Sequence, residues 1–85
     1  MYLHLGQDTV IKTDEILGIF DLDNTSVSKW TREYLNLSER EKRVVYVSFD
    51  LPKSFILTKD KKVYISPLSP STLIKRIEQL EKIKE

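Results

Sequence analysis

Eighty-five residues and 10.0 kDa leave room for one domain, 1–85, with a thin core of its own, because small chains bury a smaller fraction of their surface. The absence of cysteine excludes disulfides, thiolate metal sites and a cysteine nucleophile, so oligomerisation is the support left to a chain this small. The net charge of +1 carries no general nucleic-acid signal, but it is unevenly divided, at −3 over residues 1–42 and +4 over residues 43–85.

Hydrophobic residues at 40% with 32% charged describe a folded chain rather than a disordered one. No stretch has the pattern of a signal peptide or a membrane span, and the expected location is the cytoplasm.

Along the chain, Met1, Leu3 and Leu5 alternate with Tyr2 and His4, which predicts a first strand, and Gly6-Gln7-Asp8 a turn. Thr9-Val10-Ile11-Lys12 reads as a second strand. Ile16-Leu17-Gly18-Ile19-Phe20 reads as a buried third strand, in which Gly18 marks a bulge or a close approach. Asp21-Leu22-Asp23-Asn24-Thr25 supplies candidate N-caps, with Asp23 and Asn24 in front. Val27, Trp30, Tyr34 and Leu37 then form the apolar stripe of a middle helix ending near Asn36, with Lys29 and Glu33 one turn apart.

The period returns to two at Arg43, where Val45 and Val47 face one way and Val44, Tyr46 and Ser48 the other. Pro52 interrupts that strand. Residues 54–58 and 62–66 form a hairpin around Lys59-Asp60-Lys61. Ser69 then caps a C-terminal helix with Pro70 at its first position, and Leu73, Ile77 and Leu80 make a stripe for docking, widened by Ile74 and Ile83. The fold class is α+β, with a largely antiparallel sheet, a middle helix and a C-terminal helix.

Little catalytic chemistry is available. His4 is the only histidine, and its place in the first strand suits a structural role. Asp21 and Asp23 are faintly similar to a phosphatase-type Asp-x-Asp-x-Thr loop, but a chain of this length has no space for the magnesium ligands and lysine that such chemistry needs. No phosphate loop, nucleotide fingerprint or zinc spacing is present. The reading is therefore non-enzymatic, with no cofactor and no metal. Phosphate contacts have three candidate clusters: Lys59, Lys61 and Lys62 at the hairpin tip, Lys75 and Arg76 in the last helix, and Lys42, Arg43 and Lys53 nearer the middle. Each is equally explained as a solvated charged face.

Three stretches carry a family resemblance. They are Met1-Tyr2-Leu3-His4-Leu5-Gly6, Ile16-Leu17-Gly18-Ile19-Phe20-Asp21, and the run Val63-Tyr64-Ile65-Ser66-Pro67-Leu68-Ser69-Pro70-Ser71-Thr72-Leu73-Ile74-Lys75-Arg76. On these the chain resembles the small bacterial regulators of extracellular matrix and biofilm genes, the RemA/RemB family, and within it the RemB-like branch. The resemblance implies a small α+β fold reminiscent of LytTR-type DNA-binding domains, assembly into ring-like oligomers, and a DNA-binding transcriptional role of the RemA branch. It also implies an arginine just before the third strand and an adjacent arginine pair in the turn before the hairpin. Here those positions hold Glu15, and Asp50 with Leu51, and Lys53 replaces the pair only in part.

The function expected on these grounds is an oligomeric, DNA-binding regulator whose many copies pool weak phosphate contacts. Lys53, Lys75 and Arg76 are its first candidate residues and Arg43 the next. The alternative is an oligomeric protein-interaction or scaffold module without direct DNA contact, assembling alone or with a basic relative and using the acidic positions for recognition.

Overall fold

A computed structural model describes residues 1–22 and 28–84. Strands β1 (Tyr2–Gly6) and β2 (Thr9–Lys12) form an antiparallel hairpin apart from the main sheet. A single 3-10 turn, Thr13–Glu15, leads into β3 (Ile16–Asp21). Helix α1 (Lys29–Arg40) is followed by β4 (Val44–Tyr46), β5 (Ser54–Thr58), β6 (Val63–Ser66) and helix α2 (Pro70–Lys84). The four-stranded sheet has the order β3-β5-β6-β4.

Alternation along β5 and β6 divides the interior in two. Ile56 and Tyr64 face one side, where Leu3, Leu5, Ile11, Val47 and Leu73 close a core beneath the β1–β2 hairpin and α2. Phe55, Val63 and Ile65 face the other, against Tyr34 and Leu35 of α1 with Val44 and Leu57. The sheet is thus a middle layer between α1 and the hairpin-plus-α2 layer, which a period-two pattern apolar on both faces requires.

Two buried serines join these layers. Ser54 and Ser66 are register partners on β5 and β6, and neither is exposed. Ser66 Oγ donates to the Leu5 carbonyl at 2.6 Å and accepts from the Leu68 N–H at 3.1 Å, while Ser54 Oγ donates to the Leu68 carbonyl at 2.8 Å. The β1–β2 register shifts between His4 and Gly6, which takes Leu5 out of the ladder, and Ser66 satisfies its carbonyl instead. Gly6 has φ +129°, a conformation that calls for glycine, and a Cβ there would crowd Val47 Cγ1 at 3.2 Å.

The structure corrects several expectations. The sheet is mixed: β3–β5 and β5–β6 are antiparallel, but β4 pairs with β6 in parallel. The connection from Val47 to Lys53 is too long for a tight turn and contains Pro52, so β5 passes beyond β6 rather than pairing with β4. Strand β3 is not buried but lies at a sheet edge, leaving Leu17 and Phe20 exposed. Gly18 does mark a register shift, and a Cβ there would come within 2.7 Å of the Phe20 ring.

The N-cap of α1 is Ser28, whose Oγ accepts from Thr31 N–H at 3.1 Å, and not a residue of the 21–25 segment; Asp23, Asn24 and Val27 lie outside the described residues. The helix runs on to Arg40, four residues past the expected end. It closes in a Schellman motif: Lys42 N–H donates to Glu39 C=O and Arg43 N–H to Ser38 C=O, with Lys42 at φ 59° in the left-handed position. Its buried face is centred on Tyr34, Leu35 and Ser38, so Trp30 is 79% exposed rather than part of the core. On α2 the Ser69–Pro70 start holds, with Thr72 N–H donating to Ser69 Oγ at 3.2 Å. Leu73 and Ile77 dock as expected, whereas Ile74 turns outward and is exposed.

Candidate nucleic-acid interface

Arg43 follows the α1 cap directly, at the start of β4. Its Nε donates to Glu41 Oε1 at 2.8 Å, its Nη1 donates to the Lys61 carbonyl, and its guanidinium lies 5.8 Å from the Tyr34 ring centroid. The Tyr34 side chain first, and Glu41 second, hold the Arg43 proton more firmly than usual. These contacts bind the helix end, the hairpin tip and the face of α1 together, which is a fold-holding use of an arginine.

Lys53 stands at the opposite end of the sheet. Its N–H donates to Ser66 C=O and its C=O accepts from Leu22 N–H, both at 2.9 Å, leaving its side chain exposed. The length of β5 separates it from the hairpin tip by about 17 Å at 3.3 Å per residue. Lys75 and Arg76 follow the start of α2 by about 8 Å of helix rise, on the segment that leaves β6 beside Lys53. Lys75 is exposed; Arg76 is half-buried in a shallow cleft with Tyr2, His4 and Gln79, its Nη1 donating to the His4 carbonyl at 3.1 Å. Of the four predicted cations, Arg43 and Lys53 therefore lie at opposite ends of the sheet, while Lys75 is exposed on α2 and Arg76 is tied to the first hairpin through the His4 carbonyl.

The hairpin tip itself is not purely basic. Lys62 Nζ lies 3.9 Å from Asp60, whose carboxylate also accepts from the Thr58 hydroxyl. That hydroxyl, with help from the Lys62 backbone and charge, holds the Asp60 carboxyl below the usual carboxylate range. At the other edge, burial and then the Glu39 carboxylate push the Tyr46 phenol upward.

The positions where relatives are expected to carry arginine fall at both ends. Glu15 is exposed beside the hairpin tip, its C=O accepting from Lys59 N–H at 2.8 Å. Asp50 sits in the β4–β5 loop, its N–H donating to Ser48 Oγ at 3.0 Å. On either side of it Phe49 is fully exposed and Leu51 is 74% exposed.

Two surfaces escaped the sequence reading. One is this apolar loop, whose signal is a pair of large apolar residues outside any periodic element and just before a proline. The other is an open groove of about 260 Å³ lined by Phe20, Trp30, Thr31, Tyr34, Phe55 and Leu57. Phe20 and Phe55 stack on its floor with ring centroids 4.8 Å apart. Among the described residues no three histidine or carboxylate side chains converge as metal ligands, and no helix is long and apolar enough to cross a membrane.

The family model for RemA-like, extracellular matrix regulatory protein A-like, matches residues 2–77. The extracellular matrix regulatory protein B of Bacillus subtilis (strain 168) is 42% identical over 76 residues, covering 89% of each chain.

Proposed function

The chain belongs to the RemA-like family of extracellular matrix regulatory proteins, and from that premise we propose that it is an oligomeric, cytoplasmic, DNA-binding regulator of extracellular matrix and biofilm gene transcription. The family is one of regulators, and this chain is a regulator rather than an enzyme. What supports the DNA reading is that Lys53 and Lys75 are exposed, whereas Arg43 is engaged within the fold. The likeness to LytTR-type domains, and a ring whose copies repeat these exposed lysines, belong to the same reading. Single subunits then bind weakly, and the ring adds their contacts.

The test is fluorescence anisotropy of labelled duplex DNA over a salt series from about 50 to 200 mM, with the oligomer intact. Affinity falls steeply with salt, and Lys53→Ala or Lys75→Ala lowers the slope by about 1 for each copy that touches a phosphate. Arg43→Ala lowers the melting temperature but leaves the salt slope unchanged, because its guanidinium is engaged within the fold. No binding at the lowest salt removes the DNA reading.

A second reading, an interaction or scaffold module, is favoured by the β4–β5 loop. Asp50 repels phosphate, while exposed Phe49 and Leu51 suit protein contact. A basic relative is then a fitting partner for the acidic positions.

A further inference from the structure

Two positions of the fold that call for glycine hold lysine instead. Lys42 has φ 59° at the left-handed position that closes α1. Lys61 has φ 66° at the end of the β5–β6 turn, where its N–H donates to the Thr58 carbonyl at 3.0 Å. A side chain in this region of backbone space lowers stability relative to glycine. Gln7, in the β1–β2 turn, is the remaining non-glycine residue of this kind among the described residues. Backbone strain of this sort gathers where a side chain serves something other than the fold.

The two lysines also share one end of the sheet. β4 and β6 run parallel with Val44 opposite Val63, so two residues back along both strands Lys42 and Lys61 open neighbouring segments, about 5 Å apart at the strand spacing. Arg43 fixes this placement: its Nη1 donates to the Lys61 carbonyl, and its own carbonyl accepts from the Val63 N–H at 2.9 Å. Lys59 stands across the same turn, its N–H on the Glu15 carbonyl. The three lysine side chains are exposed, and none has an ion pair among the described residues. Nearby acids are engaged elsewhere, Asp60 by the Thr58 hydroxyl and Lys62, Glu41 by Arg43, and Glu39 by the Tyr46 hydroxyl. Glu15 is exposed and offsets one of the three positive charges.

Like charges set side by side on strained backbone oppose folding twice over. An anion with closely spaced charges offsets both effects. Lysine ammonium groups are compact point charges that suit phosphate oxygens, and phosphate contacts position a duplex without reading its bases. We propose that Lys42, Lys59 and Lys61 form a phosphate-contacting surface of their own, which takes the backbone of duplex DNA at the end of the sheet opposite Lys53. This rests on the DNA reading above and adds to it a second contact, about 17 Å along β5 from the first. Stability and binding are then opposed at two positions, since glycine at 42 or 61 relieves the backbone and deletes a phosphate contact.

Three variants of the full chain test it: Lys42→Gly, Lys61→Gly and the control Lys29→Gln, which removes one charge about 20 Å away at the other end of α1. Each is followed by equilibrium urea unfolding and by fluorescence anisotropy of labelled duplex DNA over a salt series. Both glycine variants raise the urea midpoint, by about 0.5–1 M. Both also bind DNA more weakly, with the salt slope lowered by about 1 for each copy in contact, and Lys29→Gln leaves the slope unchanged. Glycine variants that keep the slope of the unmodified chain overturn the proposal and leave the DNA reading to Lys53 and Lys75. An equal loss of slope in all three variants overturns it too, because net charge then accounts for the effect. So does a slope lost together with a lowered midpoint, which reports damage to the fold. An unmodified chain that binds no DNA at the lowest salt removes the DNA reading itself and the proposal with it.

Discussion

Replacing Ser66 by alanine is the sharpest test of how the layers are joined. The substitution removes one oxygen from a side chain with no exposed surface, so the void left is too small to dominate the cost. What it removes is a donor to the Leu5 carbonyl at 2.6 Å and an acceptor for the Leu68 N–H at 3.1 Å. A buried backbone group left without a partner costs about 1–3 kcal/mol; Leu5 is fully buried and stands near the upper end, whereas water reaches half-buried Leu68, so the sum is about 2–4 kcal/mol. Against a total of about 4–13 kcal/mol for a chain of this length, that is a large fraction. Ser54→Ala removes only the bond to the Leu68 carbonyl and costs about 1–2 kcal/mol. Because both serines hold Leu68, the double variant costs less than the two separate losses together. Equilibrium urea unfolding at fixed protein concentration measures all three. Far-UV circular dichroism is the proper signal, since Trp30 is already 79% exposed in the folded chain and its fluorescence changes little. With a slope near 1 kcal/mol/M, the Ser66→Ala midpoint falls by about 2 M or more. A midpoint displaced by less than about 0.5 M would refute the account of Ser66 as the partner of the displaced Leu5 carbonyl.

Lys42 occupies the left-handed position of the α1 cap at φ 59°, and Lys42→Gly stabilises the fold by about 0.5–1 kcal/mol, read as a higher urea midpoint. An alanine at Gly18 places its Cβ against the Phe20 ring and drives it off Phe55; the expected loss is about 1 kcal/mol, together with a changed near-UV aromatic signal. Asp60 has a lowered folded-state pKa, so its stabilisation is present above the ordinary carboxylate value of about 3.9 and is lost as pH falls through the lower folded value. Thermal melts taken downward through that range show a steeper decline for the unmodified chain than for Asp60→Asn.

Legibility followed the range over which each signal acts. The Ser69–Pro70 helix start and the 54–66 hairpin were readable because cap, proline and alternation are local chemistry, and the structure keeps both. The burial of β3 was not, because Ile16-Leu17-Gly18-Ile19-Phe20 has the composition of an inner strand, and only sheet order puts it at an edge. Sheet order depends on where β5 and β6 settle, tens of residues later. The α1 stripe was misplaced for a related reason: Trp30 and Tyr34 share a helical face, but α1 reaches the sheet through Tyr34, Leu35 and Ser38. Of the candidate surface, the charges of Lys53, Lys75 and Arg76 and the acids Glu15 and Asp50 are read directly off the chain, but charge alone does not make a binding site. The distance of Arg43 from Lys53 was not legible, since it arises from register across the whole sheet. Phe49 and Leu51 lay in plain view, but a reading by periodicity passes over residues that belong to no period.

The hairpin at the beginning of the chain has a consequence for how the protein is made. Leu3, Leu5 and Ile11 find their cover in Ile56 and Leu73, and the Leu5 carbonyl finds its donor in Ser66. A two-stranded hairpin alone is marginal in water. During synthesis these leucines therefore precede the residues that shelter them, and they stay uncovered until Ile56, Ser66 and Leu73 have been added. A chain cut short before Ser66 lacks both the donor and the cover that withdraw this apolar segment from water.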